Sequence, residues 1–223
     1  MQRTIKSFVL RAGRISKRQQ LALDNWLDQY LLIIDDKQWD FATIFGRQAE
    51  IIVEIGFGMG ASLIRMAEQN PDKDFIGIEV HRAGVGSLVA DLYEKKINNV
   101  RVVMCDAVTV FKQQISPNTL NGVQVFFPDP WHKKRHHKRR LIQPDFVKLI
   151  AERLQSGGFL HCATDWQDYA ESMRAVLSAE TALINSQPDG GYAPRPSSRP
   201  ITKFELRGHR LGHGVWDLIY FKK

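Results

Sequence analysis

The chain has 223 residues, 43% of them hydrophobic, enough for one α/β domain with a core of its own. Lys and Arg number 31 against 24 acids, for a net charge of +7 and a pI near 9.5. No stretch approaches the roughly 18 apolar residues of a membrane helix, and no apolar signal core follows the basic N-terminus. Two cysteines, Cys105 and Cys162, with no Cys-x-x-Cys pair and no zinc spacing, argue against a disulfide scaffold or a zinc module. A cytosolic protein with two buried free thiols is expected.

Charge is unevenly placed. The segment from Lys133 to Arg140 holds six Lys or Arg. The first eighteen residues hold Arg3, Lys6, Arg11, Arg14, Lys17 and Arg18 and no acid. The remaining body has 19 basic against 24 acidic residues. A mildly acidic body with two basic attachments points to a polyanionic partner, nucleic acid above all.

Residues 1 to about 20 read as a basic arm interrupted by Gly13. From 19 to about 34, Leu21, Leu23, Trp26, Leu27, Tyr30 and Leu31 recur at helical spacing. Residues 51–55 form a near-continuous apolar run, the pattern of a buried parallel strand. A glycine-rich turn at 56–60 and a helix at 61–69 follow, ended by Asn70-Pro71. Strands are predicted next at 75–79, 100–106, 122–127 and 159–163. Helices are predicted at 83–96, 145–154 and 166–179, the second stopped by Gly157-Gly158. Residues 187–200, rich in Pro, Gly, Ser and Arg, read as a mobile loop. Residues 202–206 and 215–221 read as a final antiparallel strand pair. This alternation predicts a single α/β domain over 1–223, with a basic arm and helix at about 1–35. Its sheet is doubly wound, mostly parallel and seven-stranded, Rossmann-like, with an antiparallel final strand.

Ligands of such sheets bind beyond the C-terminal strand ends. Four acids fall there in succession: Glu54, Glu79, Asp106 and Asp129. Glu54 leads into Gly56-x-Gly58-x-Gly60, whose glycines allow backbone to approach a ligand closely. The third glycine comes one residue too early for a nicotinamide fingerprint. An acid ahead of it repels a pyrophosphate and suits a cation. Glu79, 19 residues beyond Gly60, is placed to take a ribose diol, and Asp106 to accept from an adenine amine. Adenosine with a cationic tail, S-adenosylmethionine, fits this set better than NAD.

Asp129 stands between Pro128 and Pro130, directly before the cluster Lys133-Lys134-Arg135-His136-His137-Lys138-Arg139-Arg140. The prolines fix φ and restrict their predecessors, so a stiff turn is expected. A poised acid beside a phosphate-binding surface suggests chemistry on a nucleic acid. His132, His136 and His137 lack carboxylate partners at ligand spacing, so no metal is expected. No Ser-His-Asp or Cys-His pattern suggests covalent catalysis.

The sequence resembles the bacterial tRNA (guanine-N7-)-methyltransferases, which are class I S-adenosylmethionine-dependent enzymes. The resemblance is carried by Arg11-Ala12-Gly13-Arg14, by the segment from Glu54 to Gly60, and by Gly77-Ile78-Glu79-Val80-His81. It continues in the run from Phe127 to His136, in Ala163-Thr164-Asp165-Trp166 and in Thr202-Lys203-Phe204-Glu205. It implies that Glu54, Glu79, Asp106 and Asp129 bind the cofactor and that Asp129 is catalytic. It also implies that Lys133, Asp165, Thr202, Lys203, Phe204 and Glu205 contact the substrate, guanosine 46 of tRNA. The family more often carries Arg where Lys203 stands. Lys134, Arg135, Lys138, Arg139 and Arg140 are expected to hold tRNA phosphates. Trp131 or Phe204 is a candidate to stack on the base.

Guanine N7 already exposes a lone pair, so no proton need leave before methyl transfer. Asp129 is therefore expected to orient the base and offset the charge that forms on it, rather than to act as an obligatory base. Two other readings share some of these features. A small-molecule or protein methyltransferase explains the glycine loop but gives the basic segments no role. An RNA-binding protein on a degenerate methyltransferase fold predicts loss of the cofactor acids, and all four are present. The sequence leaves monomer and homodimer open.

Overall fold

The computed structural model describes residues 6–9, 13–201, 205 and 214–223. Seven strands run in chain order: β1 (Glu50–Ile55), β2 (Lys73–Ile78), β3 (Val100–Val103), β4 (Leu120–Phe126), β5 (Leu154–Thr164), β6 (Leu183–Asn185) and β7 (Trp216–Lys222). They form one sheet in the order β3-β2-β1-β4-β5-β7-β6. The pairs from β3 through β5 are parallel, and β7 is antiparallel to both β5 and β6. The doubly wound sheet with an antiparallel closing strand is therefore as expected. The chain reverses its direction of winding between β1 and β4, which puts the ligand crevice over their C-terminal ends.

Five of the six residues of β1 are buried, as a central parallel strand covered on both faces requires. On one face lie α1 (Lys17–Asn25), α4 (Ala61–Gln69) and α5 (Arg82–Lys95), packed through Ala22, Leu63, Val85 and Leu88. On the other lie α6 (Ala107–Gln113), α7 (Pro144–Arg153) and α8 (Gln167–Ala179), packed through Phe111, Phe146, Ile150 and Met173. Ser16 and Gln19 close a capping box on α1, and Pro144 opens α7 at a position where its missing N–H costs nothing.

Several boundaries differ from the sequence reading. The predicted helix at 19–34 breaks at Trp26 into α1 and α2 (Leu27–Tyr30). Leu31 and Leu32 then bridge to Val102, covering the edge of β3 that would otherwise be open. The helix α3 (Phe41–Phe45), capped by Asp40 and ended at left-handed Gly46, gave no periodic signal because it is one turn long. Gly157-Gly158 does not stop a helix. It sits inside β5, where the register against β4 jumps from Leu154 to Phe159 and Gly157 takes φ 79°. The final strand pair is also corrected. β7 pairs with β5 and the three-residue β6, and Glu205 is helical; the remaining residues of the predicted strand at 202–206 lie outside the described residues. The segment 187–200 is not simply an exposed loop. Ala193 bridges to Asp217 and the Arg199 side chain is fully buried.

Candidate active site

Gly56, Gly58 and Gly60 have φ of 76°, 57° and 87°. At Gly60 the requirement is double, because a Cβ would also lie 2.8 Å from Leu88 of α5. Glu79 ties this loop to the next strand. Its Oε2 accepts the Gly58 N–H at 3.0 Å, and Oε1 accepts from Val80 N, His81 N and the His81 ring. Asp106 caps α6 by accepting the Val108 N–H at 3.0 Å. Glu54 is 3% exposed, and burial pushes its carboxyl up to about 8. Its Oε2 has no partner among the described residues, and neither has Oε1 of Gln124, its register partner on β4. The crevice beyond these strands is lined by Gly56, Glu79, Cys105, Phe126, Phe127 and Asp129, among others.

Asp129 follows β4 on the stiff turn expected from its prolines. Two bulky residues beside that turn, Phe127 and Trp131, take φ of 52° and 50°. Each such left-handed residue costs roughly 1–2 kcal/mol, so the surroundings must hold the turn in place. The Phe127 N–H donates to Ala163 O at 2.8 Å. Trp131 donates its ring N–H to Ser7 O at 3.1 Å and lies under the Arg139 guanidinium at 4.2 Å. With its indole committed in this way, Trp131 is not a free platform for a base.

The basic cluster forms a 3₁₀ segment, Lys134–Arg139. Lys133, Lys134, Arg135 and Lys138 are exposed. Arg139 is half-buried and donates to Lys6 O and Phe8 O at 3.1 and 3.2 Å, which lays residues 6–9 along the rim of the crevice. Arg140 departs from expectation. Its side chain is only 2% exposed; it donates to Pro130 O at 2.9 Å and to Asp168, and lies over the Tyr169 ring. It supports the Asp129 turn from inside and is removed from the phosphate patch. The Arg140 guanidinium holds the Asp168 carboxyl below its ordinary range.

The Trp166 ring meets His132 in a T-shaped contact, centroids 4.2 Å apart. Trp166 keeps 39% of its surface exposed in a groove shared with Asp165, Glu171 and Trp216. Glu205, expected on the substrate, is 2% exposed and its carboxylate is gripped by Arg199. Thr202, Lys203 and Phe204 lie outside the described residues. Cys162 is buried as expected, its thiol pushed up to about 12 by burial, whereas Cys105 is half-buried and lines the crevice.

A family model described as "Putative methyltransferase" matches residues 48–218. The tRNA (guanine-N(7)-)-methyltransferase of Legionella pneumophila subsp. pneumophila (strain Philadelphia 1) is 64% identical, over 100% of both chains. The chain belongs to the tRNA (guanine-N7-)-methyltransferase family. A more distant relative of the same name from Paraburkholderia xenovorans is 54% identical over 99% of this chain and 84% of its own length. Among solved structures, the 16S rRNA methyltransferase KamB superposes with a TM-score of 0.56 at 14% identity, covering 82% of this chain and 93% of its own. The aminoglycoside resistance methyltransferase NpmB1 gives 0.55 at 13% identity, covering 86% and 100%. At these identities the two structures speak for the class I methyltransferase fold alone. Family membership makes the glycine loop and its acids the place to test for S-adenosylmethionine. The residues present fit it: Glu54 offers an unpartnered buried carboxyl oxygen where a cation would gain most, and the left-handed glycines bring backbone close without side chains.

Proposed function

We propose that this chain methylates N7 of guanosine 46 in the variable loop of tRNA, with Asp129 as the residue that organises the acceptor base. The chain is an S-adenosylmethionine-dependent methyltransferase of the tRNA guanine-N7 family. The observation that carries the site reading is the position of Asp129. It lies on the lip of the glycine-loop crevice, on a turn stiffened by left-handed Phe127 and Trp131, with exposed Lys133, Lys134 and Arg135 directly beside it.

S-adenosylmethionine, when bound, supplies an electrophilic methyl group. Glu54, the Gly56 to Gly60 backbone, Glu79 and Asp106 are the residues that would hold it. Most of the acceptor capacity of Glu79 is spent on the chain itself: Oε1 accepts three hydrogen bonds and Oε2 one, so Oε2 is the freer of the two oxygens. Guanine N7 needs no proton removed. The Asp129 carboxylate therefore serves best by accepting from the base N–H groups and by opposing the positive charge that develops on the ring, a positioning and electrostatic contribution. Asp165 can take further donors of the guanine edge. Trp166 replaces Trp131 as the stacking platform, since it keeps 39% of its surface exposed and a T-shaped contact with His132 steadies it. Lys133, Lys134, Arg135 and Lys138 hold the phosphates.

The chain works as a single cytoplasmic domain, as a monomer or homodimer, and needs no metal for this chemistry. Incubation with unmodified tRNA transcript and methyl-labelled cofactor, followed by digestion, tests the reading: label should appear in 7-methylguanosine and vanish from a transcript with adenosine at position 46.

A further inference from the structure

On the face packed by α1, α4 and α5, the neighbouring strands β4, β5 and β7 present Gln124, His161 and Asp217, all nearly fully buried. Arg199, fully buried, donates Nε and Nη2 to the two oxygens of Asp217 at 2.7 and 3.0 Å, and Nη1 and Nη2 to those of Glu205 at 2.7 and 2.9 Å. His161 on β5 meets the same Asp217 oxygen at 2.7 Å. The guanidinium also lies over the rings of Phe126 and Phe127, at 5.9 and 5.6 Å. Arg195 grips the Arg199 carbonyl at 2.8 Å, so the backbone is fixed as well.

This cluster joins Phe127, which the guanidinium covers, to Glu205. Phe127 begins the Asp129 turn. Glu205 ends the Thr202-Lys203-Phe204-Glu205 motif. We infer that Arg199 is a positioning residue for methyl transfer, holding Glu205 and the Asp129 turn in fixed relation to the sheet through Asp217 and His161. The inference rests on the reading that these two segments face the acceptor guanosine. It also reassigns Glu205, whose buried carboxylate pairs with Arg199. A buried fork bonded to two carboxylates cannot be replaced by a point charge, and small displacements at a reacting centre cost large factors in rate.

Arg199→Lys should lower kcat for tRNA by roughly tenfold to 10²-fold while direct binding of S-adenosylmethionine stays within about twofold. Combined with Glu205→Gln the loss should be smaller than the product of the two single losses, because Arg199 and Glu205 share an ion pair. Normal kcat in Arg199→Lys, a parallel collapse of cofactor affinity, or multiplying effects of the two changes would each overturn the inference. Should Arg199→Lys not fold, Glu205→Gln decides by itself: we expect faster hydrogen exchange in the peptide 193–201 together with reduced kcat, and lost activity with unchanged exchange would mean that Glu205 touches the base. If the unaltered enzyme places no label in 7-methylguanosine, the functional reading fails first and independently.

Discussion

Arg140 donates its Nε–H to the carbonyl of Pro130 at 2.9 Å, from a position 3% exposed. The last cation of a basic run thus turns inward and braces the residue that follows Asp129. Arg140→Ala should cost about 1.5–3 kcal/mol of stability through the lost charged hydrogen bonds. It should lower kcat by roughly tenfold or more with little change in the KM for tRNA. Thermal denaturation and steady-state kinetics on the same sample check this; a raised KM at constant kcat would return Arg140 to the phosphate patch.

The exposed cations carry the opposite signature. Four phosphate contacts, from Lys133, Lys134, Arg135 and Lys138, should make tRNA affinity fall by roughly 10²-fold between about 50 and 200 mM salt. Lys134→Glu with Arg135→Glu should flatten that slope and raise the KM for tRNA, while cofactor affinity holds. Filter binding across a salt series measures both.

Glu54 makes cofactor binding and stability depend on pH. Its carboxyl ordinarily titrates at 4.5 and is raised to about 8 by burial, so the folded chain keeps a proton that the unfolded chain releases between these values. The sign follows: the Glu54 contribution is fully present below pH 4.5 and is lost as pH rises toward 8. Glu54→Gln should remove that decline in melting temperature for the cofactor-free protein. A cationic ligand at Glu54 favours the ionised form, so binding near neutral pH should release a proton in the native protein and none in Glu54→Gln. Calorimetry in buffers of different ionisation enthalpy reads this directly.

Trp166 is exposed where Trp131 is partly buried and committed, which makes it the candidate stacking platform. Trp166→Ala should lose about 1–3 kcal/mol of acceptor-base interaction, seen in kcat/KM for tRNA, and Trp166→Phe should recover most of it. Equal losses in both variants would assign Trp166 to packing against His132 instead.

Much of the fold was legible because its signals are local. The apolar run at 51–55, the glycine turn and the acids at strand ends all require only neighbouring residues, and Ile55, Gly56, Glu79 and Asp129 line the crevice. What the sequence concealed depends on contacts between distant segments. Arg140 reads as one more cation until Tyr169 and Asp168 are folded against it. The stretch 187–200 reads as a loop because its decisive interaction, Arg199 with Asp217, spans 18 residues. Three-residue β6 and one-turn α3 are too short for periodicity to register. The signal that could have found Arg199 is an Arg set among prolines and serines, six residues ahead of Glu205.

The most direct test joins chemistry to Asp129. Unmodified tRNA transcript and methyl-labelled S-adenosylmethionine are incubated with the native enzyme and with Asp129→Ala, and the RNA is digested to nucleosides. We predict label in 7-methylguanosine with the native enzyme, and loss of turnover with near-native tRNA binding in Asp129→Ala. Label in another nucleoside, or near-normal 7-methylguanosine from Asp129→Ala, would contradict the proposed site.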